Sequence, residues 1–241
     1  MNLAKYLLFE NEDFVVINKP AGLLSIPDRF DQTLPALSRM LEQAYGKIFV
    51  VHRLDKDTSG VLVFARNEGT HRYLSGLFQD RKVEKTYLAL VTGRIWEPEG
   101  RIEAPLSRQA GKGGRMKITK NGMDALTTFE VLQPLGLYTL LKVRLHTGRT
   151  HQIRVHLQSI GHPIAMDALY GSPEPFYLSA IKRKYRVGKH QEEERPLMNR
   201  QALHARTLAF TDEKGQKHAF VAPLPKDFKA VLHQLEKQAV V

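Results

Sequence analysis

Val51-His52-Arg53-Leu54-Asp55-Lys56-Asp57-Thr58-Ser59-Gly60-Val61-Leu62 is the stretch on which the reading of this chain turns. It sets a dense run of charge between two apolar runs. The second run, Val61 to Ala65, has the length and β-branched content of a buried strand. A buried strand does not abut Arg53, Asp55, Lys56 and Asp57 unless those side chains occupy a cleft or make a turn. On the residues alone, a cleft and a charged surface turn both satisfy the pattern. Asp57-Thr58-Ser59-Gly60 is not the Asp-Thr-Gly of an aspartic protease, since one residue intrudes and no second copy completes a dyad.

Working outward, Phe14-Val15-Val16-Ile17 reads as a strand stopped at Lys19-Pro20-Ala21-Gly22. Leu34, Leu37, Leu41 and Ala44 fall at helical spacing, with Thr33 and Pro35 near the expected start. A second helix is predicted from about Asn67, burying Leu74, Leu77 and Phe78. Lys85 to Val91, Leu126 to Leu132 and Tyr138 to Leu145 read as strands. Thr150 is placed to cap a helix that buries Ile153, Leu157 and Ile160. Leu203 to Phe210 and Lys217 to Val221 flank turn residues and predict a hairpin. A last helix should bury Phe228, Val231, Leu232 and Leu235. The strands come in groups without steady βαβ alternation, so the fold class is α+β with a mixed, largely antiparallel sheet and flanking helices. No repeat or linker divides residues 1–241, which we read as one domain.

The chain carries 36 Lys+Arg against 25 Asp+Glu, a formal charge of +11. That balance favours a polyanionic partner, because each phosphate neutralised releases condensed counterions. Two stretches hold most of the excess. Arg108, Lys112, Arg115, Lys117 and Lys120 stand in a glycine-rich segment without an acid, which suits a loop folding over a phosphate backbone. Lys182, Arg183, Lys184, Arg186 and Lys189 form the second, but Glu192, Glu193 and Glu194 follow at once. The absence of cysteine excludes disulfides, thiolate catalysis and Cys-based metal centres. His146, His151, His156 and His162 lack metal-ligand spacing, so no metal is expected. No P-loop and no nucleophile elbow occurs. With no secretory signal and no run of about 20 apolar residues, a cytoplasmic protein that does not enter the membrane is expected.

His52-Arg53-Leu54-Asp55 followed by Thr58-Ser59-Gly60 resembles the signature of the RluA family of RNA pseudouridine synthases. The resemblance continues in order along the chain. Val16 to Gly22 is similar to the family's first motif and Lys85 to Gly93 to its tyrosine-bearing strand. Thr147 to Leu157, then Gly161-His162-Pro163-Ile164, is similar to its third motif, and Leu203-His204-Ala205 to its late strand. One departure is local: the family commonly has Gly-Asp after His-Pro-Ile, where this chain has Ala165-Met166-Asp167, and we expect local packing to account for it. The segment from about Pro173 to Pro196 is longer and more charged than in the smallest members. With so short a stretch before Asn11, we expect no extra N-terminal RNA-binding domain of the kind that some members carry.

The resemblance implies a pseudouridine-synthase-type fold with a central RNA-binding cleft, and an isomerisation in which uridine N1–C1′ is broken and C5–C1′ is made. That reaction is redox-neutral and loses no group, so no cofactor is expected. By the resemblance, Asp55 acts at the ribose, either attacking C1′ or removing a ribose proton. Arg154 matches the arginine that pairs with it, and Tyr87 the tyrosine beside the uracil. Arg53 matches the residue that enters the space of the flipped base, and Ile153 could equally give apolar contact to the ring or pack in the core. The implied partner is RNA, ribosomal or transfer stem-loops, read mainly by shape, with no obligate protein partner. A non-catalytic RNA-binding protein would explain the charge but not Asp55, Tyr87 and Arg154 together. A nucleosidase would release free uracil.

Overall fold

A computed structural model describes residues 3–111, 114–182, 185 and 193–239. In chain order its strands and helices are β1 (Leu7–Glu10), β2 (Phe14–Lys19), α1 (Leu37–Tyr45), β3 (Phe49–Val50), β4 (Ser59–Ala65), α2 (Glu68–Gln79) and β5 (Glu84–Thr92). There follow β6 (Glu99–Glu103), β7 (Leu106–Arg108), β8 (Met116–Ile118), β9 (Leu126–Leu135), β10 (Tyr138–Leu145) and α3 (Gln152–Ser159). The last are β11 (Leu203–Thr211), β12 (Lys217–Val221) and α4 (Lys226–Ala239). The class is α+β with a large, mostly antiparallel sheet, as the grouping of strands predicted. Among the described residues, no helix is long and apolar enough to cross a membrane.

The chain forms two compact units. The first comprises Met1–Tyr87, Arg144–His146 and Leu203–Pro223; the second comprises Leu88–Val143, Thr147–Ala202 and Leu224–Val241.

In the first unit, every residue of β4 is buried. It lies antiparallel to β2, from Phe14 opposite Ala65 to Lys19 opposite Gly60. β11 joins it in parallel, His204 opposite Ser59 and Ala205 opposite Gly60. Gly60 has φ +121°, and a Cβ there would stand 2.2 Å from the Ala205 carbonyl oxygen. Only glycine lets the two backbones approach. The other end of the unit is an aromatic cluster in which Phe14 meets Phe9, Phe210 and His218 at centroid distances of 5.4, 5.4 and 5.1 Å.

Two expectations here need correction. Helix α1 starts at Leu37, not near Thr33. Ala36 is extended and bridges Leu24, and the N–H groups of Leu37 and Ser38 donate to the Leu24 and Ser25 carbonyls. The helix therefore begins only once those external acceptors are used, and Thr33 gives its hydroxyl to Asp31 instead. Ala44, at helical spacing with Leu41, is exposed.

In the second unit, β6 pairs with β9 from Glu99 opposite Glu130 to Glu103 opposite Leu126. The segment Pro163–Ala165 is laid along β5: Thr92 N–H donates to Pro163 O and Ala165 N–H to Leu90 O, both at 2.9 Å. α4 carries Asp227 in its first turn, where the helix dipole favours an acid, and Arg200 grips that carboxylate with Nε and Nη2 at 2.7 and 3.0 Å. Helix α3 is not capped by Thr150: His151 is the N-cap, in a left-handed conformation without a side-chain cap bond. Ile160, expected in the core, is 39% exposed just past the helix end.

Candidate active site

The Asp55 loop belongs to the first unit and runs from β3 to β4. Its backbone is held on both sides of Asp55. Ser25 Oγ donates to Leu54 O at 2.8 Å and accepts the Leu54 N–H at 3.1 Å. On the other side, Lys56 O accepts from Lys19 Nζ and from Gly22 N–H, each at 2.9 Å. Lys19 is fully buried. Its ammonium also donates to Pro20 O and Leu23 O, at 3.0 and 2.8 Å. A buried cation is tolerated only when such acceptors replace its water. Lys-Pro-Ala-Gly thus does more than end a strand: its lysine fastens the turn to the loop. Past Asp55, Thr58 N–H donates to Asp55 O at 3.1 Å. Ser59 Oγ lies 3.0 Å from His204 Nδ1, and His204 Nε2 is 3.1 Å from Ala222 O.

At the start of the loop, His52 stacks on Phe78 with ring centroids 4.4 Å apart. Its Nε2 accepts the Val63 N–H at 3.2 Å, which requires that nitrogen to be unprotonated. Burial and then the Lys85 charge push its pKa down to about 3, so the imidazole is neutral at ordinary pH. Burial lowers Lys85 as well.

Asp55 is half-buried, Arg53 is exposed and Tyr87 is buried. Burial, and next the negative charge of Asp55, raise the Tyr87 phenol above its ordinary value. The charge of Asp55 therefore reaches the side chain 32 positions later that sequence also picked out, and Tyr87 is protonated in the free protein.

The second unit holds the remaining candidates. All of α3 from Gln152 to Leu157 is buried, because Gln152 itself is spent on structure. Its amide donates to Leu126 O and Thr127 Oγ1, and its carbonyl oxygen accepts from Thr147 Oγ1 and Arg149 N–H. Ile153 is buried. Arg154 presents Nε and Nη2 to the two oxygens of Asp167, at 2.7 and 2.8 Å, a bidentate pair with Asp167 fully buried. The departure Ala165-Met166-Asp167 thus does more than pack. Met166 takes φ +58°, a glycine-like conformation, and delivers Asp167 to the arginine.

The basic segment is not an open loop where it is described. Leu106–Arg108 and Met116–Ile118 pair as a short antiparallel hairpin, with Leu106 and Met116 buried and Arg108 and Lys117 exposed. Lys120 is exposed and Arg115 half-buried; Lys112 lies outside the described residues. A cavity of about 250 Å³ is lined by Gln109, Arg115, Lys117, Gln158 and Ser159 among others. In the second basic stretch, Arg183, Lys184, Arg186 and Lys189 lie outside the described residues. The histidines of the third motif serve separate partners: His156 bonds Thr127 and Ala104, His162 bonds Thr92, and His151 bonds Tyr170.

Sequence reasoning gave no role to Lys19, Ser25, His204, Asp167 or Tyr170. Lys19 and His204 stood within quoted motifs, and Asp167 within the noted departure; Ser25 and Tyr170 carried no pattern.

Comparison with known proteins gives the family. The family model described as RNA pseudouridylate synthase matches residues 13–159, more than half of the chain. Ribosomal large subunit pseudouridine synthase D of Nitrosomonas europaea is 39% identical over 95% of this chain, which spans 64% of that protein's length. An uncharacterized RNA pseudouridine synthase of Aquifex aeolicus is 37% identical over 99% of this chain and 75% of its own. The solved structure of Human RNA Pseudouridylate Synthase Domain Containing 4 is similar at a TM-score of 0.74, with 26% identity, over 97% of this chain and 94% of that one. The chain belongs to the RNA pseudouridylate synthase family.

Proposed function

We propose that this protein isomerises specific uridines to pseudouridine in structured RNA, with Asp55 acting at the ribose. The observation that carries the reading is the electrostatic link between Asp55, on a loop pinned from both sides, and the buried phenol of Tyr87. A carboxylate facing C1′ is what an oxocarbenium-like centre needs. Whether Asp55 attacks C1′ or takes a ribose proton, its negative charge is lost in that step. One of the two causes that hold the Tyr87 proton on then disappears. The charge returns when C5 bonds to C1′, and Tyr87, having given its own proton to solvent while the charge was absent, would then take the C5 proton.

Arg154 would meet the carboxylate as its counter-ion, which favours the ionised form, and Ile153 would offer an apolar contact to the ring. Arg53, exposed beside Asp55, would occupy the gap left by the flipped nucleotide. Arg108, Arg115, Lys117 and Lys120, with Lys112, would hold phosphates. The name of the Nitrosomonas europaea relative makes large-subunit ribosomal RNA the first substrate to try, with transfer-RNA stem-loops next. The test is release of tritium from RNA carrying 5-tritiated uridine. Asp55→Asn should fold, bind RNA and release none. Turnover at the wild-type rate in that variant removes Asp55 from the mechanism, and free uracil among the products would mean hydrolysis instead.

A further inference from the structure

We propose that Tyr170 is a positioning residue that ties the basic β7–β8 hairpin to Arg154, so that RNA seated on the hairpin sets the guanidinium. The idea rests on the functional reading above, and the geometry behind it lies wholly in the second unit. Tyr170 is buried, yet its hydroxyl is used. Tyr170 Oη accepts the N–H of Met116, in β8, at 2.7 Å, and lies 2.9 Å from His151 Nδ1, at the start of α3. Its ring has the Arg115 guanidinium carbon at 5.2 Å and that of Arg154 at 5.0 Å. One aromatic ring therefore meets a hairpin arginine and the site arginine.

The connection continues through the backbone. Asp167 Oδ1, which accepts from Arg154 Nη2 at 2.8 Å, also accepts the N–H groups of Leu169 and Tyr170 at 2.9 and 3.1 Å. The carboxylate that clamps the arginine is thereby fixed to the tyrosine that holds the hairpin. Packing leaves no soft layer in between. Leu106 and Met116 of the hairpin form one buried cluster with Tyr170, Ala125 and Val155, the residue next to Arg154. A shift of β8 moves the Met116 N–H and Arg115 together. Tyr170 must follow or lose a short hydrogen bond, and its own N–H then pulls on Asp167 Oδ1. Phenylalanine would fill the same volume, so the hydroxyl is what makes the joint.

The test uses Tyr170→Phe. With RNA at saturation, kcat for tritium release should fall about tenfold while RNA affinity changes less than about twofold. Arg115→Ala should lower both kcat and affinity in the wild-type background, but only affinity in the Tyr170→Phe background. Full kcat in Tyr170→Phe, or an equal kcat loss from Arg115→Ala in both backgrounds, overturns the joint. A second measurement needs no turnover. In protein labelled with ¹⁵N-arginine, the Arg154 Nε–H signal, assigned by its loss in Arg154→Lys, should move when a uridine-free stem-loop binds. A signal that stays in place while that RNA binds overturns the proposal, whether or not Tyr170→Phe folds. A moving signal in a wild type that isomerises no RNA would leave the joint standing and overturn the functional reading instead.

Discussion

The Asp55 loop and the basic β7–β8 hairpin both carry charge on short connections, yet they are held in opposite ways. The loop is fixed by buried polar groups of distant origin: Ser25 on Leu54, Lys19 on Lys56, and His204 on Ser59. The hairpin is only two three-residue strands, with its charged side chains outward and Met116 N–H held by Tyr170. A group that must face a reacting bond cannot tolerate displacement of about 1 Å, whereas a phosphate contact can follow its ligand. On the proposed function, rigidity would sit where bonds change and adjustable charge where the polymer is held.

That contrast is open to attack at several points. The largest effect is expected from Gly60→Ala, which puts a methyl group into the Ala205 carbonyl at a left-handed φ; loss of about 4 kcal/mol or more, measured by urea unfolding, is expected. A wild-type midpoint would show that β4 and β11 can part without harm. Next comes Lys19→Met, which strips the ammonium from three carbonyls. It should cost about 2–4 kcal/mol and reduce tritium release in the fraction that remains folded. Unchanged stability would mean the loop is held by packing alone.

Substitutions in the hairpin should do the reverse. Lys117→Ala should leave the melting temperature within a degree or two, equivalent to about 0.5 kcal/mol. It should weaken RNA binding and make the log–log salt slope shallower by about one. A salt slope identical to wild type would remove Lys117 from the phosphate contacts. The smallest effect concerns pH. His52 has a folded pKa near 3 against 6.5 for the free side chain, so the unfolded chain binds the extra proton between those values. Its contribution to stability is therefore whole above about pH 6.5 and is lost as pH falls toward 3. Burial lowers His156 also, with the same sign. His52→Phe should flatten the fall of melting temperature between pH 6.5 and 4.5; an unaltered slope would show that other groups govern it.

The two regions were also unequally legible in the sequence. Phe14–Ile17 and Val61–Ala65 announced themselves because a strand buried on both faces is a continuous apolar run. Asp55, Tyr87 and Arg154 came from ordered motifs, and in the folded chain the charge of Asp55 reaches Tyr87. The hairpin escaped notice because three-residue strands studded with Lys and Arg leave no period to detect. Lys19, Ser25 and Asp167 escaped for a different reason. Their importance lies in which carbonyl or guanidinium they meet, 37, 29 and 13 positions away, and no local pattern encodes such a meeting. The start of α1 was misplaced because Leu24 and Ser25 carbonyls, unseen in a linear reading, occupy the first donors of the expected helix.

The parallel pairing of β11 with β4 has a consequence for how the protein comes into being. Ser59 meets a histidine 145 positions later in the chain, so the neighbourhood of Asp55 is closed only after those 145 positions have been synthesised. Contacts of such long range are slow to form, and a chain still emerging from the ribosome lacks the strand that finishes the floor of its own loop. The support of that loop is thereby deferred until His204 has been made.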